Sequence, residues 1–234
     1  MMQLLPLARY NDLIEGAEIL SSEYVDGRIS PKVLRLKDKS ILKLFRLKRA
    51  LSSALLVPYA VRFQRHVKKL QAFDIPTVDI RAVYKIADIG RTAVHYIPLE
   101  GPTLREHCES LPLDARMAEK LGQFFHLLHL RGVYFRSIHF GNLVLADRQR
   151  IGLIDVADMR FRRAPLNMNL RTRNLRHLFR YDTDRDYLAP VRQCFIDAYC
   201  ASARLHARSE SYLRYRFECY FQKRVEQHGG PACD

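Results

Sequence analysis

The spacing of apolar residues changes near residue 100, and this change constrains the fold more than any other feature of the sequence. Before it, short apolar runs alternate with turns, and only in residues 59–73 do apolar residues recur at the spacing of a helix. From residue 111 onward, apolar residues recur mostly at helical spacing. The pattern predicts an α+β protein with two lobes, divided near residues 98–102. Residues 1–100 would form a small antiparallel sheet with one helix, and residues 101–234 a mostly helical lobe.

The predicted strands of the first lobe are short. Residues 33–47 indicate two strands around the turn "KDKS", and residues 77–88 and 91–99 indicate two more, with Gly90 at their turn. The helix over 59–73 is expected to end before Pro76, because the residue preceding a proline disfavours the α region.

The second lobe begins with a predicted helix that opens at Pro112 and is capped by Gly132. The segments "NLVLA" and "RIGLIDVAD" indicate a hairpin around Asp147 and Arg148. Residues 167–227 have the spacing of further helices. The lobe is therefore expected to carry its loops between one long helix and a helical remainder.

Three polar residues stand out by their spacing. Asn142 lies five residues after Ser137 and is followed by the apolar "LVL", and Asp155 ends the apolar "IGLI" thirteen residues later. Side chains at strand ends can converge on one metal, and Lys43 lies within the apolar strand "ILKLF". The plainer alternatives are turn or cap residues at Asn142 and Asp155, and a solvent-facing lysine on an edge strand.

These segments resemble a known family. "GVYFRSIHFGNLVL", "GLIDVADMRF" and "HYIPLEGPTLRE" are similar to the catalytic loop, metal loop and inter-lobe hinge of lipopolysaccharide core (Kdo/heptose) kinases, in particular the group described as toluene-tolerance proteins. The resemblance covers about residues 30–185 and rests on order and spacing more than on identity. It implies a protein-kinase-like two-lobe fold and phosphotransfer from ATP, with Mg²⁺, to a sugar of the lipopolysaccharide core.

The resemblance also implies roles for single residues. Lys43 would hold the α- and β-phosphates of ATP, and Asn142 and Asp155 would ligate Mg²⁺, which prefers oxygen ligands. The acceptor hydroxyl would approach Ser137 and His139, of which His139 would structure the loop or touch the γ-phosphate. The hinge residues expected beside the adenine are Tyr96, Ile97, Leu99 and Glu100.

Three departures from the family pattern concern catalysis. Ser137 occupies the position of the catalytic aspartate, and Phe135 replaces the preceding histidine. No acid occurs between Lys39 and Asp74, so the helix in that interval cannot supply the usual partner of the phosphate-binding lysine. No G-x-G-x-x-G segment precedes the strands, and Gly27 alone would serve as a flap glycine.

The missing base leaves two functions open. A general base contributes about 10²- to 10⁴-fold, whereas phosphoryl transfer depends mainly on positioning and charge stabilisation. The substitution at Ser137 is therefore expected to slow catalysis without abolishing it, with His139 as one candidate proton acceptor. The alternative is a pseudokinase that binds nucleotide or core oligosaccharide and regulates envelope lipopolysaccharide assembly without catalysis.

The charge predicts an anionic partner. The chain has 39 Lys+Arg against 25 Asp+Glu, and residues 160–180 hold seven arginines and no acid. These arginines follow the metal loop and suit phosphate or carboxylate groups of a lipopolysaccharide core or other phosphorylated glycolipid. The basic residues of 32–69 suit an anionic inner-membrane surface. A solvated face is the plainer alternative, and nucleic acid is not expected because no recognition motif occurs. The predicted acceptor-binding residues are Arg162, Arg163, Arg171, Arg173 and Arg176.

The remaining motifs exclude several classes of protein. The five cysteines are scattered without zinc spacing, and His126 and His129 have no third ligand at a matching interval. The first residues lack the basic region of a signal peptide, and the apolar stretch 51–61 is too short to span a bilayer. We expect a cytoplasmic protein, peripheral at the inner membrane where it acts, and the sequence does not indicate its oligomeric state.

Overall fold

The computed structural model describes residues 2–25, 27–46, 57–147 and 150–222 and shows an α+β protein, which confirms the predicted class. The chain divides into two compact units. The first comprises Met1–Glu100 and Gly152–Ala157, and the second comprises Gly101–Ile151 and Asp158–Asp234. The sequence-based division assigned all of residues 101–234 to the second lobe, whereas the structure joins Gly152–Ala157 to the first unit.

The described residues of the first unit form a six-stranded sheet and two α-helices, in the strand order β1-β5-β6-β4-β3-β2. Strand β1 runs parallel to β5, and the other neighbours are antiparallel. Its elements are β1 Gln3–Leu4, α1 Leu7–Ile14, β2 Glu18–Val25, β3 Arg28–Arg35, β4 Ile41–Arg46, α2 Tyr59–Ala72, β5 Asp79–Ile86 and β6 Arg91–Ile97.

Two features of this unit differ from the prediction of an antiparallel sheet with one helix. The sheet is mixed because β1 pairs with β5, and α1 is a second helix. A strand of two residues has no alternation to detect, and a helix of eight residues is too short for a decisive period. Both elements therefore lie below the length at which spacing identifies them.

The two faces of the sheet pack against different helices. Since side chains alternate along a strand, Leu42 and Leu44 of β4 share one face, and Lys43 and Phe45 share the other. The Phe45 ring lies 6.3 Å from Phe63 of α2. The opposite face contributes to a buried cluster made up of Leu5, Tyr10, Leu34, Leu36, Leu42, Leu44, Ile86 and Ala93.

Over the residues that the structure describes, the second unit is mostly helical and has two small two-stranded sheets, β7–β10 and β8–β9. Strand β9 continues from this unit into the first. Its elements are α3 Leu104–Ser110, α4 Ala115–Leu130, β7 Val133–Phe135, β8 Leu143–Ala146, β9 Arg150–Leu153, β10 Met159–Phe161, α5 Met168–Arg176, α6 Asp182–Leu188, α7 Arg192–Ala203 and α8 Ala207–Gln222.

The helix starts in this unit follow capping chemistry. Helix α4 begins after Asp114, whose carboxylate accepts from the Met117 amide at 2.7 Å, rather than at Pro112. The prediction missed α3, although its capping box is present in the sequence as Thr103 and Glu106. The local signal for α3 was therefore available in "TLRE".

Some predictions fall outside the described residues. These are most of the apolar stretch 51–61, the turn residue Arg148, the end of the last helical segment and Cys233. None of the helices formed by the described residues is both long and apolar enough to cross a membrane. The four cysteines that the structure describes are free thiols.

Gly122 allows α4 and α7 to approach closely. A Cβ atom at this position would lie 2.2 Å from the Phe195 carbonyl oxygen and 2.9 Å from the Tyr199 nitrogen. Both are main-chain atoms of α7, which cannot rotate away as a flexible side chain would. The packing of the two helices therefore depends on the absence of a side chain here.

The substitution Gly122→Ala is expected to lower the free energy of unfolding by about 1–3 kcal/mol, because overpacking outweighs the better helix propensity of alanine. Urea denaturation followed by circular dichroism measures the change. The control is Glu119→Ala at an exposed position of the same helix, which should stay within about 0.5 kcal/mol of the wild type. An unchanged or higher urea midpoint for Gly122→Ala would contradict the close packing.

Candidate functional site

The centre of the first unit's candidate site is an ion pair between Lys43 and Asp155. Lys43 Nζ lies 2.6 Å from Asp155 Oδ1, and the lysine side chain is only 9% exposed. Strand β4 is an interior strand between β3 and β6, so Lys43 is not the solvent-facing residue of a sheet edge. A charge removed from water requires a partner, and the Asp155 carboxylate provides it.

Asp155 has an unusual backbone conformation. Its φ angle is +54°, in the left-handed region that a residue with a side chain adopts at a cost of about 1–3 kcal/mol. Its side chain remains 46% exposed, although one carboxylate oxygen contacts Lys43. Asp is one of the residues that adopt this region most readily, and Lys39, Asp74 and Arg204 share it in this chain.

The loop around Asp155 is hydrogen-bonded on both sides. Before it, the Leu153 amide donates to the Pro76 carbonyl at 2.9 Å, and the Thr77 hydroxyl donates to the Leu153 carbonyl at 2.7 Å. After it, His66 Nδ1 of α2 donates to the Val156 carbonyl at 2.7 Å. These contacts fix the backbone that holds the left-handed residue.

His66 is a site residue that the sequence analysis missed. A carbonyl oxygen only accepts, so Nδ1 of His66 carries the proton in this contact. Helix α2 therefore binds the loop after Asp155 through a histidine rather than binding Lys43 through an acid. The sequence predicted the helix that carries His66, but no local pattern pairs it with a residue 90 positions away.

Tyr96 lies beside this pair. Burial raises the pKa of the Tyr96 hydroxyl well above its ordinary value, and the nearby Asp155 charge raises it further. The Tyr96 ring stacks on Phe63 with centroids 5.6 Å apart. The structure thus brings together three of the residues predicted from the sequence, Lys43, Tyr96 and Asp155.

The other predicted hinge residues follow Tyr96 along the chain. Ile97 is the last residue of β6, and its side chain is exposed. Leu99 packs closely over Gly152, where a Cβ atom would lie 2.4 Å from Leu99 Cδ2. Glu100 is exposed and ends the first segment of the unit.

The second unit holds a separate group, formed by Ser137, His139 and Asn142. The Asn142 amide nitrogen donates to the Ser137 carbonyl at 2.8 Å and contacts His139 Nε2 at 3.1 Å. Because an amide nitrogen only donates, His139 Nε2 accepts and its lone pair is engaged. Neither contact uses Asn142 Oδ1. The geometry favours a loop-structuring role for His139 over the role of proton acceptor.

A buried carboxylate anchors this loop. Asp184 has no exposed side-chain surface, and it accepts from the Phe140 amide at 2.9 Å. Arg105 neutralises it through two hydrogen bonds of 2.8 and 2.9 Å. The Arg105 guanidinium also lies over Tyr181, whose ring contacts His139. Arg105 and Asp184 were not predicted from the sequence, since no local pattern joins residues 79 positions apart.

A buried polar network supports the strand before the loop. The Asn174 amide nitrogen donates to the Phe135 carbonyl at 2.7 Å, so its oxygen accepts from His129 Nε2 at 3.1 Å. His129 Nδ1 then accepts from the Tyr199 hydroxyl at 2.7 Å. Burial lowers the pKa of His129 to about 3, which is consistent with this neutral tautomer.

The predicted acceptor-binding arginines occupy different environments. Arg162, Arg163, Arg173 and Arg176 are exposed. Arg171 is half-buried, and its Nε donates to the Leu166 carbonyl at 2.8 Å. Burial raises the pKa of the Tyr199 hydroxyl, and the positive charge of Arg171 opposes part of that increase. The position of Arg171 is that of a structural residue, whereas the other four face solvent.

No group of three or more His, Cys, Asp or Glu side chains within the described ranges is arranged to hold a metal. Mg²⁺ bound with a nucleotide uses one or two protein carboxylates plus phosphate oxygens, so a site of the predicted kind does not require such a group. A scan against profiles of known protein families and a search of curated proteins found no match for this chain.

Removing the His129 imidazole is expected to change the pH dependence of stability. The unfolded histidine takes up a proton near pH 6.5, whereas the folded one stays neutral down to a pKa of about 3. The stabilising contribution is therefore complete above about pH 6.5 and is lost as the pH falls, with a slope of about 1.4 kcal/mol per pH unit. In urea-denaturation free energies, His129→Gln should lower the measured slope by about this amount, while His177, whose pKa is also lowered, keeps its own contribution. Exposed His206→Gln should leave the slope unchanged. An unchanged slope in His129→Gln would contradict the assignment.

The His66 contact gives a second prediction. His66→Ala should lower the free energy of unfolding by about 1–3 kcal/mol, because the Val156 carbonyl loses its donor. His66→Asn should restore most of this loss, since its amide nitrogen takes a position similar to that of Nδ1. Chemical denaturation measures both, with exposed Arg65→Ala as the neutral control. If asparagine does not restore stability, ring volume and not the hydrogen bond is what matters at this position.

Proposed function

We propose that this chain is a phosphotransferase of the lipopolysaccharide core kinase type with a protein-kinase-like fold. It would use ATP and Mg²⁺ to phosphorylate a sugar of the lipopolysaccharide core at the inner face of the cytoplasmic membrane. The observation that carries the proposal is the buried Lys43 paired with the left-handed, half-exposed Asp155. The order of the catalytic-loop, metal-loop and hinge segments supports it.

The nucleotide would bind on the Lys43 face of the sheet. Val33 lies directly opposite Lys43 in the neighbouring strand, and Ile41 lies two residues before it, so both share its face. An apolar surface beside a lysine suits a base followed by phosphates. The residues proposed to run past the adenine are Tyr96, Ile97, Leu99 and Glu100.

Mg²⁺ fits the oxygen atoms available in each unit. Asp155 has one carboxylate oxygen beyond the contact with Lys43, and Asn142 donates through nitrogen only, which leaves Oδ1 for a cation. The bound ion would bridge phosphate oxygens and neutralise charge during transfer. Lys43 and Asp155 are therefore proposed to hold the Mg²⁺-nucleotide in the first unit, and Asn142 is proposed as a Mg²⁺ ligand in the second.

Catalysis would proceed without a strong general base. The acceptor hydroxyl would approach Ser137 and His139, with its proton lost late, because the transition state of phosphoryl transfer is loose. The cost of the missing carboxylate is about 10²- to 10⁴-fold in rate. The acceptor is proposed to be an anionic lipopolysaccharide core or other phosphorylated glycolipid, with exposed arginines as its contacts.

One observation favours a second function, a pseudokinase. The lone pair of His139 Nε2 is engaged by Asn142, and Asp184, the carboxylate that accepts from the Phe140 amide, is buried and neutralised by Arg105. These contacts leave the loop without a strong proton acceptor at the described positions. In this function the chain would bind nucleotide or core oligosaccharide and regulate lipopolysaccharide assembly.

The proposed cellular location of the protein follows from its proposed acceptor and from its net positive charge. A lipopolysaccharide core carried on the inner leaflet would bring the protein to an anionic surface. The net charge of +14 favours that surface, where each basic residue near it contributes about 1 kcal/mol. The protein is therefore proposed to be cytoplasmic and peripheral at the inner membrane.

Binding of the nucleotide can be measured by thermal unfolding with ATP, with and without Mg²⁺. A ligand at 100 times its Kd should stabilise the wild type by about 2.7 kcal/mol. We expect Asp155→Ala to lose the Mg²⁺-dependent shift, because it loses the carboxylate that would bind the ion. Asp12→Ala, an exposed aspartate of α1, should keep it.

Transfer of radioactive phosphate from ATP to purified core oligosaccharide separates the two functions. Transfer that is lost in Asp155→Ala would support the enzyme. Nucleotide binding without transfer would support the pseudokinase. A wild type that shows no shift with Mg²⁺-ATP would contradict nucleotide binding in both functions.

A further inference from the structure

Five arginines of the second unit gather around the side chains of Tyr134 and His177. Arg136 directly follows β7 and Arg160 lies in β10. The other three lie in α5 and in the segment that follows it. Only two of the five were predicted to bind the acceptor. The group is named the His177 arginine cluster and comprises Arg136, Arg160, Arg173, Arg176 and Arg180.

The β7–β10 ladder places the first member. Arg160 and Tyr134 are directly opposite in the antiparallel register, so their side chains share one face. The Tyr134 hydroxyl lies 3.1 Å from His177 Nε2. Arg160 is therefore next to the tyrosine that touches His177.

Helical spacing places three more arginines of the cluster on one face. Arg173, Arg176, His177 and Arg180 follow the interval i, i+3, i+4, i+7, which puts them along one face. The chain continues from α5 through a short 3-10 turn at His177–Phe179. Arg180 Nη2 then donates to the Arg136 carbonyl at 3.0 Å, which joins this face to the residue before Ser137.

The positive charge of the cluster is poorly compensated. Asp158 lies 3.7 Å from Arg136, and both side chains are about half exposed. Across the described residues, Arg160, Arg173 and Arg176 make no ion pair. Burial, followed by the charges of Arg180, Arg176, Arg136 and Arg173, lowers the pKa of His177 to about 4. The histidine is therefore neutral near pH 7.

We propose that the His177 arginine cluster binds the phosphate monoester group of a phosphorylated sugar. Guanidinium groups recognise phosphate through paired hydrogen bonds, and several of them around one point match a dianion. Arg136 directly precedes Ser137, so a sugar held here lies at the loop proposed to meet the acceptor hydroxyl. The identification of this sugar as the acceptor rests on the proposed function, and the phosphate site itself does not.

Isothermal titration calorimetry of the full chain with glucose 6-phosphate tests the site, without nucleotide or Mg²⁺ and at about 50 mM salt to limit screening. Saturable binding at one site is expected, with none for glucose. Arg173→Gln/Arg176→Gln should weaken it at least about tenfold. Arg116→Gln/Arg208→Gln removes the same charge from exposed helix starts in this unit and should leave the affinity within about twofold.

Three results would overturn the proposal. They are the absence of saturable binding to wild type, equal weakening by both double variants, and binding to phosphatidic acid vesicles without binding to glucose 6-phosphate. Thermal unfolding of each variant checks that it is folded. The outcome is separable from that of the proposed function: glucose 6-phosphate binding without any Mg²⁺-ATP shift would leave the cluster standing and remove the kinase.

Discussion

The Lys43 ammonium is buried in the interior strand of a sheet, and its need for a counter-charge organises the candidate site. Helix α2 carries no acid, so the partner is Asp155, on a segment that joins the first unit from far along the chain. Removing Asp155 leaves the buried Lys43 charge uncompensated, whereas removing Lys43 leaves a carboxylate that is half exposed to water. This pair therefore links strand β4 to the segment Gly152–Ala157 within the first unit.

Neutral polar groups fix the backbone at both candidate loops. His66 holds the carbonyl after Asp155 in the first unit, and Asn174 holds the carbonyl of Phe135 before the loop of the second. Asp184 is the charged exception, and Arg105 neutralises it. Asn174 and Asp184 are buried and His66 is half-buried, and each is paired with the backbone that it supports. Rigid support behind an exposed functional group is the arrangement that binding and catalysis require.

The sequence alone predicts elements whose pattern is long or chemically distinctive. The apolar run around Lys43 indicated its strand, and the spacing of Asn142 and Asp155 indicated two loops. Long-range pairs were not predictable, because no local pattern connects Arg105 with Asp184 or His66 with Val156. The exposed arginines were recognised as a group, but burial of Arg171 depends on packing that composition does not encode.

The most direct test of the central claim is chemical labelling with an acyl-phosphate derivative of ATP, which acylates an amine held next to its phosphates. Peptide mass spectrometry then identifies the modified lysine. The account predicts labelling at Lys43, prevented by excess Mg²⁺-ATP and lost in Asp155→Ala. Labelling spread over exposed lysines such as Lys68 and Lys69, with no competition by Mg²⁺-ATP, would contradict a nucleotide site at the Lys43–Asp155 pair.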